Sequence, residues 1–211
     1  MLLEALRTEV VESGVKLAQA QLVQLSCGNV SVRDPDTNLI AIKPGGADYF
    51  KLRPVDVLVV DEQGAVVDGE GKPSSETPMH TLVYRSRRDI HAAIHTHSAI
   101  ATAWSVAQRA IPCVTVGQVL TDGAIPVAPY CQPGTEALGE VALRAMGSGS
   151  AVVLQNHGVF TVGANMKMAL AAAFIVEEAA LVAFYAEMLG DTLHLLGKQD
   201  LQEMLRRGTK G

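Results

Sequence analysis

Residues 92–98 read Ala-Ala-Ile-His-Thr-His-Ser, and they place a histidine pair at the end of a short apolar run. The apolar residues predict a buried strand that arrives at His95, and Ser98 predicts the cap of a helix through Trp104. Alternate side chains of a strand share one face, so His95 and His97 can converge on one ion. Histidine is the commonest metal ligand. On spacing alone, a metal site and an ordinary surface His-x-His pair remain equally good interpretations.

A third histidine lies in a different part of the chain, in a turn between two strand-like apolar runs at 151–154 and 159–162. His157 follows Gln155-Asn156 there, and the apolar context does not explain it. A catalytic zinc typically takes three protein ligands and keeps one position open. The carboxylate of Glu76 is a candidate fourth ligand. The remaining histidines are predicted not to be ligands: His91 at a strand edge or in a loop, and His80 and His194 on helices.

Three loops carry small residues that suit an anion. They are Gly28-Asn29, Gly45-Gly46 and Ser74-Ser75. Glycine lets backbone N–H groups approach a ligand closely, and Ser74-Ser75 immediately precedes a helix start at Thr77-Pro78, where the helix dipole favours negative charge. Lys43 adds a formal positive charge. Each pair alone is also typical of an ordinary turn.

The rest of the chain alternates strand and helix patterns. This mixture predicts an α/β sheet covered by helices, in one domain spanning 1–211. Glu177 and Glu178, inside the last long helix, are expected to face water or to form pairs between subunits. The predicted helices are 2–25, 77–85 and 165–189, and the further predicted strands are 30–32, 39–42, 57–60 and 65–67.

Composition excludes several functional classes. The chain has 211 residues, 48% of them hydrophobic, and a net charge of −5. The chain lacks a block of Lys and Arg of the kind that predicts nucleic-acid binding. No apolar run reaches the ~20 residues that span a bilayer. The three cysteines do not form a disulfide framework, and the acidic N-terminus is unlike a signal peptide. We therefore expect a cytoplasmic protein with neither nucleic-acid nor membrane partners.

Five blocks in order together resemble the class II aldolase/adducin-head family: 26–33, 42–46, 72–76, 95–98 and 155–158. The resemblance extends from about residue 10 to 190. It implies a three-layer α/β/α sandwich with a central, largely antiparallel mixed sheet. It also implies one Zn²⁺ per subunit and a homotetramer whose active sites lie between neighbouring subunits.

The resemblance also implies roles for single residues. His95, His97 and His157 match the zinc-binding histidines. Glu76 matches the family's acidic residue, which is a zinc ligand in some members and the catalytic base in the aldolases. The loops that hold the substrate phosphate match Gly28, Asn29, Gly45, Gly46, Ser74 and Ser75, with Lys43 nearby.

The expected function is that of a zinc-dependent sugar-phosphate aldolase. It would reversibly cleave a ketose phosphate similar to L-fuculose 1-phosphate into dihydroxyacetone phosphate and an aldehyde. The alternatives are an L-ribulose-5-phosphate 4-epimerase and a decarboxylase or dehydratase of sugar-acid phosphates. They stay open because the second proton-transfer residue is missing: the aldolase tyrosine falls at about Val116, and Asp122 is out of register with the epimerase aspartate. A non-catalytic scaffold like the adducin head would lack the histidines and Glu76.

Overall fold

Eight strands form one sheet in the computed structural model, which describes residues 1–190 and 192–208. The strands are β1 (Asn29–Arg33), β2 (Ile40–Ile42), β3 (Leu58–Val60), β4 (Val66–Asp68), β5 (Ala92–Thr96), β6 (Val127–Ala128), β7 (Ala151–Leu154) and β8 (Gly158–Gly163). The helices are α1 (Glu4–Gln19), α2 (Thr77–Ser86), α3 (Ala99–Val106), α4 (Glu136–Met146), α5 (Met166–Met188) and α6 (Lys198–Gly208).

The sheet order is β4-β3-β2-β1-β5-β8-β7-β6, and every neighbouring pair is antiparallel except β6 with β7. One face of the sheet packs against α2 and α4. The other face packs against α1, α3 and α5. The predicted three-layer α/β/α sandwich with a largely antiparallel mixed sheet is therefore confirmed.

Strand β5 lies in the middle of this sheet, between β1 and β8. Its side chains alternate between the two layers, because successive side chains of a strand point to opposite faces. Ala92 and Ile94 pack on the side of α1, whereas Ala93 packs on the side of α2. His95 follows Ala93 in this alternation, so its ring lies on the face that α2 covers.

Several predicted boundaries are wrong by a few residues, and the first helix was predicted too long. Helix α1 ends at Gln19 instead of residue 25, because Gln21 adopts a left-handed φ of 60° that breaks the helical path. Leu22 is nevertheless buried, which extends the helix-like apolar pattern beyond the helix. Thr77 is the first helical residue of α2, and Glu76 is its cap. His194 lies in the irregular segment 192–197, not on a helix.

Helix α5 corrects the expectation that no apolar run is long enough to span a bilayer. With 23 residues, the helix is long and apolar enough to cross a membrane, by length and composition only. The same property is typical of a core helix, and the buried side chains of α5 pack against the sheet and α3. Ala-rich positions such as Ala169 and Ala173 bring it close to β5.

Candidate metal centre and anion pocket

One ring nitrogen of His95 bonds to the backbone, and the other faces the ring of His97. Its side chain is buried, and Nδ1 lies 2.9 Å from the carbonyl oxygen of Val159 on the neighbouring strand. Because a carbonyl can only accept, Nδ1 must carry the proton, and Nε2 keeps its lone pair. This arrangement, in which the second nitrogen donates to a backbone carbonyl, is typical of metal-binding histidines.

The other two histidines converge on the free nitrogen of His95. His97 lies just beyond the end of β5, and its Nε2 is 3.0 Å from Nε2 of His95. His157 comes from the turn between β7 and β8, with its ring centroid 4.6 Å from that of His95. One donor atom from each ring lies within 4.8 Å of the other two. Three imidazoles from two distant parts of the chain therefore form a set that suits one cation.

Burial holds these imidazoles in the neutral form that binds metal. It is the largest cause that lowers the pKa of His95 well below its usual value, followed by the neighbouring His157 and His97. Burial also lowers the pKa of His97, and it lowers that of His157 to about 4. A neutral ring keeps a lone pair for a metal ion.

Two glycines allow the chain to pass close to His95. A Cβ on Gly158 would lie 2.1 Å from the carbonyl oxygen of Thr96 and 3.1 Å from Cε1 of His95. Gly28 has a left-handed φ of 72°, and a Cβ there would lie 2.6 Å from the His95 carbonyl oxygen. The sequence therefore needs glycine at both positions to place a turn against the histidines.

Glu76 contributes a carboxylate with one oxygen held and one free. Its Oε1 accepts a hydrogen bond of 3.1 Å from the N–H of Gly134. Its Oε2 is buried and has no hydrogen-bond partner among the described residues. Burial raises the pKa of Glu76, and the bond from Gly134 only partly opposes that effect. A carboxyl group with a raised pKa is easier to protonate than an exposed one, which suits it to proton transfer.

A cavity of about 350 Å³ opens beside the histidines. An isolated β-bridge between Pro44 and Pro73 draws two of the predicted anion loops together, and the N–H of Gly45 donates to the carbonyl of Lys72. The third loop, Gly28-Asn29, lies at the start of β1, and Asn29 is the register partner of His95. All the predicted site residues line this cavity: Gly28, Asn29, Lys43, Gly45, Gly46, Ser74, Ser75, Glu76, His95, His97 and His157.

Lys43 is a buried cation in the cavity wall. Its side chain is 1% exposed, and its ammonium donates to the carbonyls of Ser26 and Pro44 and lies 4.6 Å from the centre of the Tyr49 ring. No carboxylate within the described ranges forms an ion pair with it. Burial is the largest cause that lowers its pKa to about 8. A ligand anion in the cavity would supply the missing charge.

The remaining histidines are not part of the cluster, and some lining residues escaped prediction. His80 is buried between Ser31 and Phe160, with its Nδ1 2.6 Å from the Ser31 hydroxyl. Val116 is exposed and does not line the cavity. Pro133 does line it, next to Gly134, because that loop folds back against the start of α2. The turn residues Gln132-Pro133-Gly134 were the available signal for this loop.

The fold and the histidine cluster together define a class of protein: an α/β/α sandwich with a cluster of histidines that could hold a metal ion at the end of its central strands. The chain belongs to the Class II Aldolase and Adducin N-terminal domain family, whose model matches residues 8–184. That family is metal dependent in general.

Similar proteins place the chain among the aldolases of this family. The 5-deoxy-D-ribulose 1-phosphate aldolase of Bacillus thuringiensis serovar kurstaki is 33% identical over 207 residues, which are 98% of this chain and 97% of the relative. A solved L-fuculose 1-phosphate aldolase has a TM-score of 0.92 and 32% identity, covering 97% of this chain and 96% of its own. YgbL from Klebsiella pneumoniae, a candidate aldolase, epimerase or decarboxylase, has a TM-score of 0.83 and 30% identity over 96% and 99% of the two chains. The predicted enzyme class, a class II aldolase, is confirmed.

Proposed function

We propose that the protein is a zinc-dependent aldolase that cleaves a ketose 1-phosphate into dihydroxyacetone phosphate and an aldehyde. The observation that carries the proposal is the position of the buried carboxylate of Glu76, in the same cavity as three convergent histidines and a buried lysine. The names of the relatives, which include aldolases of deoxyribulose 1-phosphate and fuculose 1-phosphate, support the substrate class.

We propose that His95, His97 and His157 hold the zinc ion. The residues fit such an ion. Nε2 of His95 keeps its lone pair because the proton of that ring is on Nδ1, which donates to the carbonyl of Val159. Nδ1 of His157 is buried without a hydrogen-bond partner within the described residues. Three neutral imidazoles with an open position suit a catalytic zinc. When bound, zinc supplies a Lewis acid that stabilises negative charge on the oxygens of the substrate.

The loops at the other side of the cavity are proposed to hold the phosphate. Lys43 offers the charge, and the two serines and the glycine backbone of the loops offer neutral donors. The amide oxygen of Asn29 is buried in this wall without a partner among the described residues, so it is available to a substrate hydroxyl. Fixing the phosphate several ångströms from the reacting carbons orients them and lowers the entropic barrier.

Glu76 is proposed to transfer the proton to and from C3 of the substrate. In the cleavage direction the bond between C3 and C4 breaks, the C4 hydroxyl loses its proton as the aldehyde forms, and C3 gains a proton. The buried, unpartnered Oε2 of Glu76 is the oxygen that is free to exchange that proton. Gly134 holds the other oxygen, so the carboxylate keeps one orientation while it changes protonation state.

The 4-epimerase is the second candidate. It would share the cleavage step but let the aldehyde rotate and recondense. The histidines and Glu76 support it as well as the aldolase, because both reactions use the same cleavage step. The similarity to YgbL, whose candidate activities include decarboxylation, keeps a decarboxylase as a further outcome.

A panel of substrates tests the proposal. The zinc-loaded protein is incubated with L-fuculose 1-phosphate, 5-deoxy-D-ribulose 1-phosphate and L-ribulose 5-phosphate, and the products are read by NMR and mass spectrometry. We expect dihydroxyacetone phosphate from a 1-phosphate. Exchange of L-ribulose 5-phosphate with D-xylulose 5-phosphate and no triose phosphate would support the epimerase instead. Turnover of none of them would contradict the proposed substrate class.

We also propose a homotetramer in the cytoplasm, with active sites between neighbouring subunits. Support comes from exposed apolar side chains near the end of α5, including Phe184, Tyr185 and Met188. Large exposed apolar patches commonly mark subunit interfaces. Analytical ultracentrifugation would give four times the chain mass if this is correct, and the mass of one chain if it is not.

A further inference from the structure

We infer that Glu177 of α5 is a positioning residue for the histidine cluster, because its carboxylate caps α3, the helix that joins the segments of His97 and His157. The inference rests on the proposed metal site.

Helix α3 begins two residues after His97 and lacks a cap from its own sequence. Ser98 occupies the cap position, but its hydroxyl makes no capping hydrogen bond. That hydroxyl instead lies 2.8 Å from the hydroxyl of Thr96, on the other side of His97. The first N–H groups of a helix have no partner within the helix, so they need one from elsewhere.

Glu177 supplies that partner from a distant part of the chain. Its Oε1 accepts from the N–H of Ile100 at 3.0 Å, and its Oε2 accepts from the N–H of Ala101 at 2.8 Å. Both oxygens of the carboxylate are therefore used on one helix end, where the dipole favours negative charge. This corrects the expectation that Glu177 simply faces water.

The other end of α3 contacts the turn that carries His157. The hydroxyl of Ser105 donates to the carbonyl of Thr102 at 2.7 Å and accepts from the N–H of Asn156 at 3.1 Å. Asn156 precedes His157 and has a left-handed φ of 56°, so its backbone depends on such support. Trp104 fastens the same helix to α5 through a hydrogen bond of 3.0 Å to the carbonyl of Ala180.

Helix α3 thus acts as a spacer between two of the three histidines. Its start follows His97, its end supports the turn of His157, and Glu177 fixes its position on α5. Removing the carboxylate leaves two backbone N–H groups without their acceptor and frees the start of the helix. The separation of His97 and His157 then varies more, and the affinity for a cation held by both should fall.

The test compares zinc dissociation constants of the full chain by competition with a chromophoric chelator. We expect Glu177→Ala to raise the dissociation constant about tenfold or more, the usual range for residues that orient metal ligands. Glu177→Gln keeps one acceptor oxygen and should have a smaller effect. The adjacent and exposed Glu178 gives the matched control, because Glu178→Ala should bind zinc like the unmodified chain.

A second measurement separates positioning from general stability. Thermal unfolding is followed with and without zinc, and positioning predicts that the temperature gain on zinc binding shrinks in the Glu177 variants. A merely structural role would lower both unfolding temperatures equally. If Glu177→Ala does not fold, Glu177→Gln and Ser105→Ala carry the same test. Unchanged zinc affinity in all folded variants would overturn the inference, whereas failure of the unmodified chain to bind zinc would refute the metal site itself.

Discussion

Replacing Lys43 by methionine should change how the stability of the protein depends on pH. The ammonium is 1% exposed, and burial is the largest cause that lowers its pKa from 10.5 to about 8. Methionine has a similar length but no charge, so it removes the titrating group from the cavity wall. It also leaves the carbonyl of Ser26 without a donor, which lowers stability at every pH.

The direction of the pH effect follows from the two pKa values. Below about pH 8 the native and the unfolded chain both hold the proton, and the native state bears the full cost of burying the charge. Between about pH 8 and 10.5 the unfolded chain holds a proton that the native chain has released, so the free energy of unfolding rises with pH. At about 1.36 kcal/mol per pH unit, the rise from pH 7 to pH 9.5 is roughly 2 kcal/mol.

Urea unfolding at the two pH values measures this effect, and the fluorescence of the single, buried Trp104 reports it. The quantity to compare is the free energy of unfolding of the unmodified chain minus that of Lys43→Met. It should increase by roughly 2 kcal/mol from the lower to the higher pH, because all other titrating groups cancel. The exposed Lys51 provides a control for the substitution of lysine by methionine itself, in the variant Lys51→Met. Parallel pH curves for Lys43→Met and the unmodified chain would show that burial does not lower the pKa of Lys43.

Three further predictions concern the cavity. Glu76→Gln should lower kcat by about 10²–10⁴-fold while metal analysis still finds zinc, because it removes a proton-transfer group; loss of zinc would show instead that Glu76 is mainly a ligand. Gly158→Ala should destabilise the protein by about 1–3 kcal/mol in thermal unfolding, because its Cβ would lie 2.1 Å from the carbonyl oxygen of Thr96, and an unchanged unfolding temperature would contradict this close approach of the two backbones. Binding of inorganic phosphate, followed by calorimetry, should weaken above about pH 8 as Lys43 loses its proton, and an affinity that stays constant to pH 9.5 would exclude Lys43 from the anion site.

The predicted site residues line one cavity, whereas several predicted boundaries of helices are wrong. His95-Thr96-His97 and Asn156-His157-Gly158 are local motifs whose residue types are unusual in an apolar context, so their residues could be identified before any coordinates. Helix α4 was missed, although its buried Leu138, Ala142 and Met146 have helical spacing and the hydroxyl of Thr135 caps it. The signal for this helix was therefore present in the sequence.

Other features depend on contacts that no local pattern contains. The helix pattern continues through Leu22 because that residue is buried after the turn, so periodicity alone could not show where α1 ends. The partnership of Glu177 with Ile100 and Ala101 joins segments more than 70 residues apart. The hydrogen bond between Gly134 and Glu76 joins residues 58 positions apart in the sequence. The orientation of that carboxylate therefore could not be derived from the residues around Glu76.

The metal centre can be observed in a crystal structure of the zinc-loaded protein, with anomalous data collected at the zinc absorption edge. One strong peak per chain is expected, about 2.0–2.1 Å from one ring nitrogen of each of His95, His97 and His157. A peak at another place, or three rings that turn away from one another with zinc present in excess, would contradict it.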